Sequence, residues 1–213
     1  MKLRNLVSLR TCAYLSQMVA LSDLGRNVTY RVNLPGGQSR LKEASLYVMQ
    51  KAAAFEYFGL VKLNKILWRA DFAAFHERHI PVTGRQYQAL EAGPAPFEMR
   101  PILNDMLRDS EIEIIETEVP GELRPIAKVQ PVLRFFSQND LRFLDEAIVY
   151  YKDMTATQAS NESHGLAWKT RHIGDPIPYE AAIFDDSITP ENMPPKLADR
   201  FREIANARHL HTR

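Results

Sequence analysis

Histidines beside carboxylates are the first groups in this sequence whose types and spacing suggest chemistry. His76, Glu77 and His79 place two imidazoles and a carboxylate within one turn. A zinc protease motif needs two histidines four apart on one helix face, with a glutamate after the first. Here the histidines are three apart and Pro81 follows closely, so a third ligand would have to come from His164 or His172. A polar helix end, with imidazoles near the carbonyl dipole, is the simpler reading. His209 and His211 lie in the last few residues, where a fraying terminus accounts for them better than a metal does. No metal ligand is assigned, and a hydrolase built on His76, His79 and His164 ranks below the other readings.

Asp71 sits among apolar residues on both sides of a helical pattern. Such a carboxylate is either an acid or ligand, or a buried structural acceptor. A buried charge without partners is costly, so the structural reading requires donors. Tyr87, the Thr83-Gly84 turn and Gly93 are the nearest candidates. Cys12 is the only cysteine, which excludes an intramolecular disulfide, and its default role is a small apolar residue. Gly36-Gly37 is a turn without the rest of a phosphate-binding loop, and no nucleophile elbow occurs. No catalytic residue or cofactor site is therefore assigned, and the expectation is a protein that is not an enzyme.

Composition is that of an ordinary globular chain: 213 residues, 45% hydrophobic and 25% charged. No apolar run approaches the roughly 20 residues that a membrane span needs, and Arg10 interrupts the N-terminal apolar run, so neither a membrane partner nor a secretory signal is expected. The expected location is cytoplasmic. Net charge is +1 but uneven: residues 1–42 carry seven Lys/Arg against the single acid Asp23. A basic arm of this kind is the only place where nucleic acid would bind, although a scattered, solvated face explains the charges more simply.

Several elements must position these groups. Leu3–Leu24 has loose helical spacing, and Val28, Tyr30, Val32 and Leu34 alternate as in a half-buried strand. Ser39 is expected to cap a helix over Leu41–Phe58, with Gly59 left-handed just past its end. A second helix, Val61–Arg78, carries two apolar stripes: Leu63, Ile66, Leu67, Ala70 and Ala74, and beside it Trp68, Phe72 and Phe75. That makes it central to the core. Pro81–Pro96 is turn-rich, with a short extended piece at Tyr87–Leu90. A third helix is expected from Phe97 to Asp109, and a β-hairpin from Ile112–Glu116 and Pro125–Val129. Ser137 caps a fourth helix, Asn139–Met154. A shorter one spans Thr157–His164, and an amphipathic one spans Pro195–Leu210. The fold class is α+β, predominantly α-helical: a helical core with a small antiparallel β-hairpin or sheet.

Five ordered motifs give a resemblance. Lys62-Leu63 leading to Ala70-Asp71-Phe72, then Ile80-Pro81-Val82-Thr83-Gly84, resemble the opening of the Panacea (SocA-like) domain family. Tyr87, Ala89, Gly93-Pro94 and Pro96 match its next motif. Arg124-Pro125-Ile126-Ala127, Phe136-Ser137 and Leu144-Asp145 are similar to its second half. Ser163-His164, Trp168 and Ile177-Pro178-Tyr179 are similar to its end. The resemblance divides the chain into a basic extension (1–40), a Panacea-like domain (41–180) and a Pro-punctuated tail with its helix (181–213). It implies an antitoxin that neutralises a cognate toxin protein by contact. Some relatives are adaptors that hand the toxin to a protease, and such genes sit beside toxin genes on mobile elements. An autoregulator that binds DNA through the basic arm ranks lower. The signature residues (Lys62, Leu63, Asp71, Thr83, Gly84, Tyr87, Gly93, Pro94, Pro96, His164 and Trp168) are read as scaffold. Arg69 stands where the family has an apolar residue and is expected to face outward. With Tyr57, Ile114 and Phe201 it forms the candidate toxin interface, with Tyr150 and Tyr151 as further exposed aromatics.

Overall fold

A computed structural model describes residues 28–119 and 121–183. The expected helices at Leu3–Leu24 and Pro195–Leu210 lie outside the described residues, as do Cys12, Phe201, His209 and His211.

Helix α1 (Ser39–Lys51) is followed by the long helix α2 (Leu60–Arg78). Strands β1 (Tyr87–Leu90) and β2 (Gly93–Pro96) form a hairpin, and helix α3 (Met99–Arg108) leads into a second hairpin, β3 (Ile112–Glu116) and β4 (Leu123–Ala127). Helices α4 (Gln138–Tyr151), α5 (Ala156–Glu162) and α6 (Leu166–Lys169) follow. Strand β5 (Pro176–Ile177) and a 3₁₀ turn (Tyr179–Ile183) end the described chain. The sheets are three-stranded, in the order β2-β1-β5, and two-stranded, β3-β4, all antiparallel. The architecture is α+β and mostly helical.

The two stripes of α2 separate two cores. Leu63, Ile66, Leu67, Ala70 and Ala74 join the larger cluster with α1, α3 and α4. Phe72, Trp68 and Phe75 join the smaller one with Tyr87, Ile177 and Tyr179. A helix buried on both sides serves as the frame on which the sheet and the other helices are placed. Helix α4 starts where expected because Ser137 and Asp140 close a capping box, and α5 starts with a second one from Thr155 and Gln158.

Four expectations need correction. Helix α1 stops at Lys51, not Phe58. The Arg124 guanidinium donates to the carbonyls of Phe55, Glu56 and Phe58, so a tertiary clamp holds residues that helix propensity alone would have continued. Ser39 lies inside α1, and Gln38 is at the cap without a side-chain bond. Gly59 is extended, with φ −140°, and caps α2 at its N-terminus. Glycine is needed there for proximity: a Cβ would stand 2.9 Å from Glu122 Cγ. Finally, Val28–Leu34 forms no strand. The segment is held at single points: Val32 N–H donates to Gly84 O, Tyr179 N–H to Thr29 O, and Thr29 N–H to the Glu180 carboxylate.

Candidate functional site

Asp71 is fully buried on α2 and surrounded by donors. Thr83 N–H donates to Oδ1 at 2.5 Å, while Thr83 Oγ1 and the Tyr87 hydroxyl (2.8 Å) donate to Oδ2. The Tyr179 hydroxyl lies 3.5 Å from the same oxygen and donates to Arg85 O at 2.6 Å. Burial pushes the Asp71 carboxyl above its ordinary range; the bonds from Thr83 and Tyr87 pull the other way without cancelling it. Burial beside that carboxylate also drives the Tyr87 and Tyr179 hydroxyls well up. The ring faces are packed as well: Phe72 lies 5.6 Å from Tyr87, edge-on, and Phe75 stacks on Tyr179 at 5.2 Å. The donors that the sequence requires for Asp71 are Tyr87 and the Thr83 turn, and Gly93 is not a partner.

Gly93 belongs to a second arrangement around the β1–β2 turn. Lys65 Nζ donates to Pro94 O at 2.9 Å, Ser160 Oγ to Ala92 O at 2.9 Å, and Trp168 Nε1 to Leu90 O at 2.9 Å. The His164 ring bonds the backbone of Glu91 and stacks on Trp168 at 3.9 Å. Four side chains from α2 and the α5–α6 region thus grip one turn by its backbone. Gly93 has φ +94°, and a Cβ there would fall on Ser163 Oγ and lie 2.6 Å from Lys65 Nζ, so only glycine fits. Lys65 is 1% exposed, and burial lowers its ammonium to about 7. Lys62, also buried, donates to Lys152 O at 3.0 Å and is lowered by burial.

Pro94 and Pro96, expected in a turn, lie instead in β2, at the edge of its sheet. Phe97 N–H bonds Gln86 O, which fixes the ladder parity and leaves both prolines where no ladder donor is needed. Gly84 has φ +71°, and its carbonyl receives Val32 N–H. Leu63 lies in the larger core. The scaffold also contains residues that sequence reasoning did not single out: Lys65, Ser160, Arg85 and the pair Arg40–Asp140. Arg85 is 1% exposed, with Nη1 3.4 Å from Glu98. Arg40 is buried, donates to Val82 O at 2.7 Å and to the Phe135 carbonyl, and lies 3.3 Å from Asp140. Burial disfavours the Asp140 charge, but donation from Arg78 and Ser137 outweighs it and holds the carboxyl low. The signal for Lys65 was available, since a lysine within an apolar stripe needs a partner.

The remaining candidates lie apart from these arrangements. Arg69 lines a cleft of about 460 Å³ between α2, α4 and the α5–α6 region. Its guanidinium lies 3.3 Å over the Tyr150 ring and 3.6 Å from Glu162, whose carboxylate also accepts from the Tyr150 and Tyr151 hydroxyls. Tyr151 is 1% exposed and belongs to the core, contrary to the exposed position expected of it; Tyr150 is exposed. Tyr57 is half-buried beside Glu56, whose bond raises its hydroxyl. Ile114, half-buried on β3, lines a mainly apolar groove of about 290 Å³ together with Leu60, Leu90, Phe97, Leu103 and Leu107, with Asn64, Gln88, Arg100 and Asn104 as its polar lining. His76, His79 and His164 are not brought together. His76 Nδ1 is 2.8 Å from Ala182 O, and no group of three metal-ligating side chains occurs among the described residues. No helix among the described residues is long and apolar enough to cross a membrane.

A helical domain whose signature side chains lock a buried hairpin is the class that fold and site define. Residues 63–169 match the model of the family described as antitoxin SocA-like, Panacea domain. The chain belongs to that family. Comparison with curated proteins and with solved structures found no match.

Proposed function

We propose that this protein is an antitoxin that neutralises a cognate toxin by binding it directly and covering the surface the toxin works with. Membership of the antitoxin family carries the reading. The geometry supports it in one respect: Lys62, Lys65, Asp71, Tyr87 and Trp168 all direct their polar atoms to internal partners. Groups used in this way hold a scaffold, and recognition then falls to the surface around it. That surface includes the exposed Phe97, Leu107, Ile115, Val119 and Leu123. Apolar side chains of this kind form the buried core of protein interfaces.

The test is co-expression with the reading frame beside this gene. That product should arrest growth alone, be harmless with this protein, and co-purify with it as a stable complex. Its half-life should be unchanged by the antitoxin, since direct occlusion needs no protease. A harmless neighbour, or rescue with no complex, would overturn the reading.

A further inference from the structure

Hairpin β3–β4 is the element that the scaffold does not enclose. Its ladder parity follows from two bonds at its ends: Lys128 N–H to Glu111 O, and Thr117 N–H to Glu122 O. With the register Glu113↔Ile126 and Ile115↔Arg124, the odd-numbered residues of β3 face β4. The N–H and C=O groups of Ile112, Ile114 and Glu116 therefore point away from β4. No third strand joins this sheet among the described residues. On the far side, the outer edge of β4 lies against the α1–α2 loop: Leu123 O is 3.1 Å from where a Gly59 Cβ would stand. Pro125 in β4 also has no N–H to offer. The two edges thus differ, and among the described residues β3 carries the open one.

The chemistry around that edge narrows the occupant. Glu111, Glu113, Glu116, Glu118 and Glu122 fall within twelve residues, with no Lys or Arg among them. Glu111 pairs with Lys42, Glu113 with Lys128 at 2.5 Å, and Glu122 with Arg124 at 3.8 Å. Glu116 and Glu118 make no ion pair among the described residues, and both are exposed. Beside them, Ile115 is 38% and Val119 47% exposed, and the 290 Å³ groove opens at Ile114. Unpaired main-chain groups accept a strand, uncompensated carboxylates attract cations, and an apolar groove takes an apolar side chain.

We infer that the outer edge of β3 receives an extended segment of the toxin, with a basic and an apolar residue two apart on one face, as a third strand of this sheet. The inference rests on the reading that a toxin is bound at all. Main-chain bonds to Ile114 and Glu116 give the register. Lys or Arg on the segment meets Glu116 and Glu118, and an apolar side chain enters the groove.

The experiment uses the full chain and the purified product of the adjacent reading frame. Hydrogen exchange of the free protein should show fast Ile114 and Glu116 amides, slowed about tenfold or more in the complex. Glu116→Pro removes an outward N–H and no ladder bond, so it should weaken binding about tenfold or more while Glu116→Gln does so less. The double variant Glu116→Lys/Glu118→Lys should weaken it further and reverse the salt dependence, with melting unchanged in both. If the wild type does not bind, the antitoxin reading fails and this inference fails with it. If it binds, but the variants bind equally and the two amides stay fast, the toxin docks elsewhere and only this inference is overturned.

Discussion

Hairpins β1–β2 and β3–β4 are built alike and used differently. Both are short antiparallel pairs, and both carry prolines where the ladder needs no donor: Pro94 and Pro96 in one, Pro125 in the other. In the first, all four residues of β2 are buried and the turn is held by Lys65, Ser160, His164 and Trp168. In the second, Ile115 and Leu123 are exposed, the Glu116 and Glu118 carboxylates face solvent, and among the described residues no strand pairs with one edge. The same local plan becomes scaffold when other elements supply donors to it, and surface when they do not. Changes at the first hairpin should therefore act on stability, and changes at the second on binding.

The largest effect should come from Asp71→Ala. It strands the Thr83 N–H, the Thr83 hydroxyl and the Tyr87 hydroxyl in a site with no water access. Removing one side of such a buried network costs about 3–5 kcal/mol, much of the total stability of a domain this size. Urea denaturation should show a domain that is largely unfolded or has a collapsed midpoint. An unchanged midpoint, with toxin neutralisation lost, would make Asp71 an interface residue instead. Gly93→Ala comes next, since a left-handed backbone and a collision with Ser163 and Lys65 act together. About 1–3 kcal/mol is expected, measured in the same way; a neutral result would mean the turn is less tightly held than its four bonds suggest.

These residues also show how far the sequence could be read. The two stripes of α2 were legible because helical period assigns each residue to a face, and the two cores follow those faces. The capping residue Ser137 was legible because its partner lies three residues away. Asp71 announced a need for donors by being charged in an apolar setting, and its donors lay within sixteen residues. The end of α1 was not legible, because it depends on Arg124, about seventy residues further along. Strand β5 has only two residues, and nothing local distinguishes them from a loop. The grip of Ser160 and Trp168 on the β1–β2 turn spans similar distances in sequence. What escaped reading was long-range and directional, carried by single polar side chains reaching backbone carbonyls.

Buried Lys65, bonded to Pro94 O, gives the first hairpin a pH signature. Lys65 releases its proton near 7 when folded, whereas the unfolded chain holds it up to the ordinary lysine range, about 10.4. Between those values the unfolded state binds more protons, so stability rises with pH, by at most about 1.4 kcal/mol per pH unit for one group. Lys62 is lowered in the same direction and adds to the trend. Denaturation midpoints should climb from pH 7 to pH 9, and Lys65→Met should flatten the slope. An equal slope in that variant would assign the pH dependence to other groups.

The smallest effect on stability should be at Ile115, and it sharpens the comparison most. Its side chain projects from β3 on the face away from the core and lies outside the core cluster, so Ile115→Thr opens no core cavity and keeps a β-branched residue in the strand. The main-chain bonds to Arg124 are untouched, because Ile115 faces β4 through its backbone whatever its side chain. Stability should therefore change by less than about 0.5 kcal/mol. An interface anchor replaced by a polar residue typically costs about 1–2 kcal/mol of binding, so the toxin complex should weaken several-fold to thirtyfold by calorimetry. A variant that melts normally and neutralises poorly would separate the two hairpins by function. One that melts early and still binds would make the second hairpin scaffold like the first, and the toxin surface would then have to be sought at the Arg69 cleft.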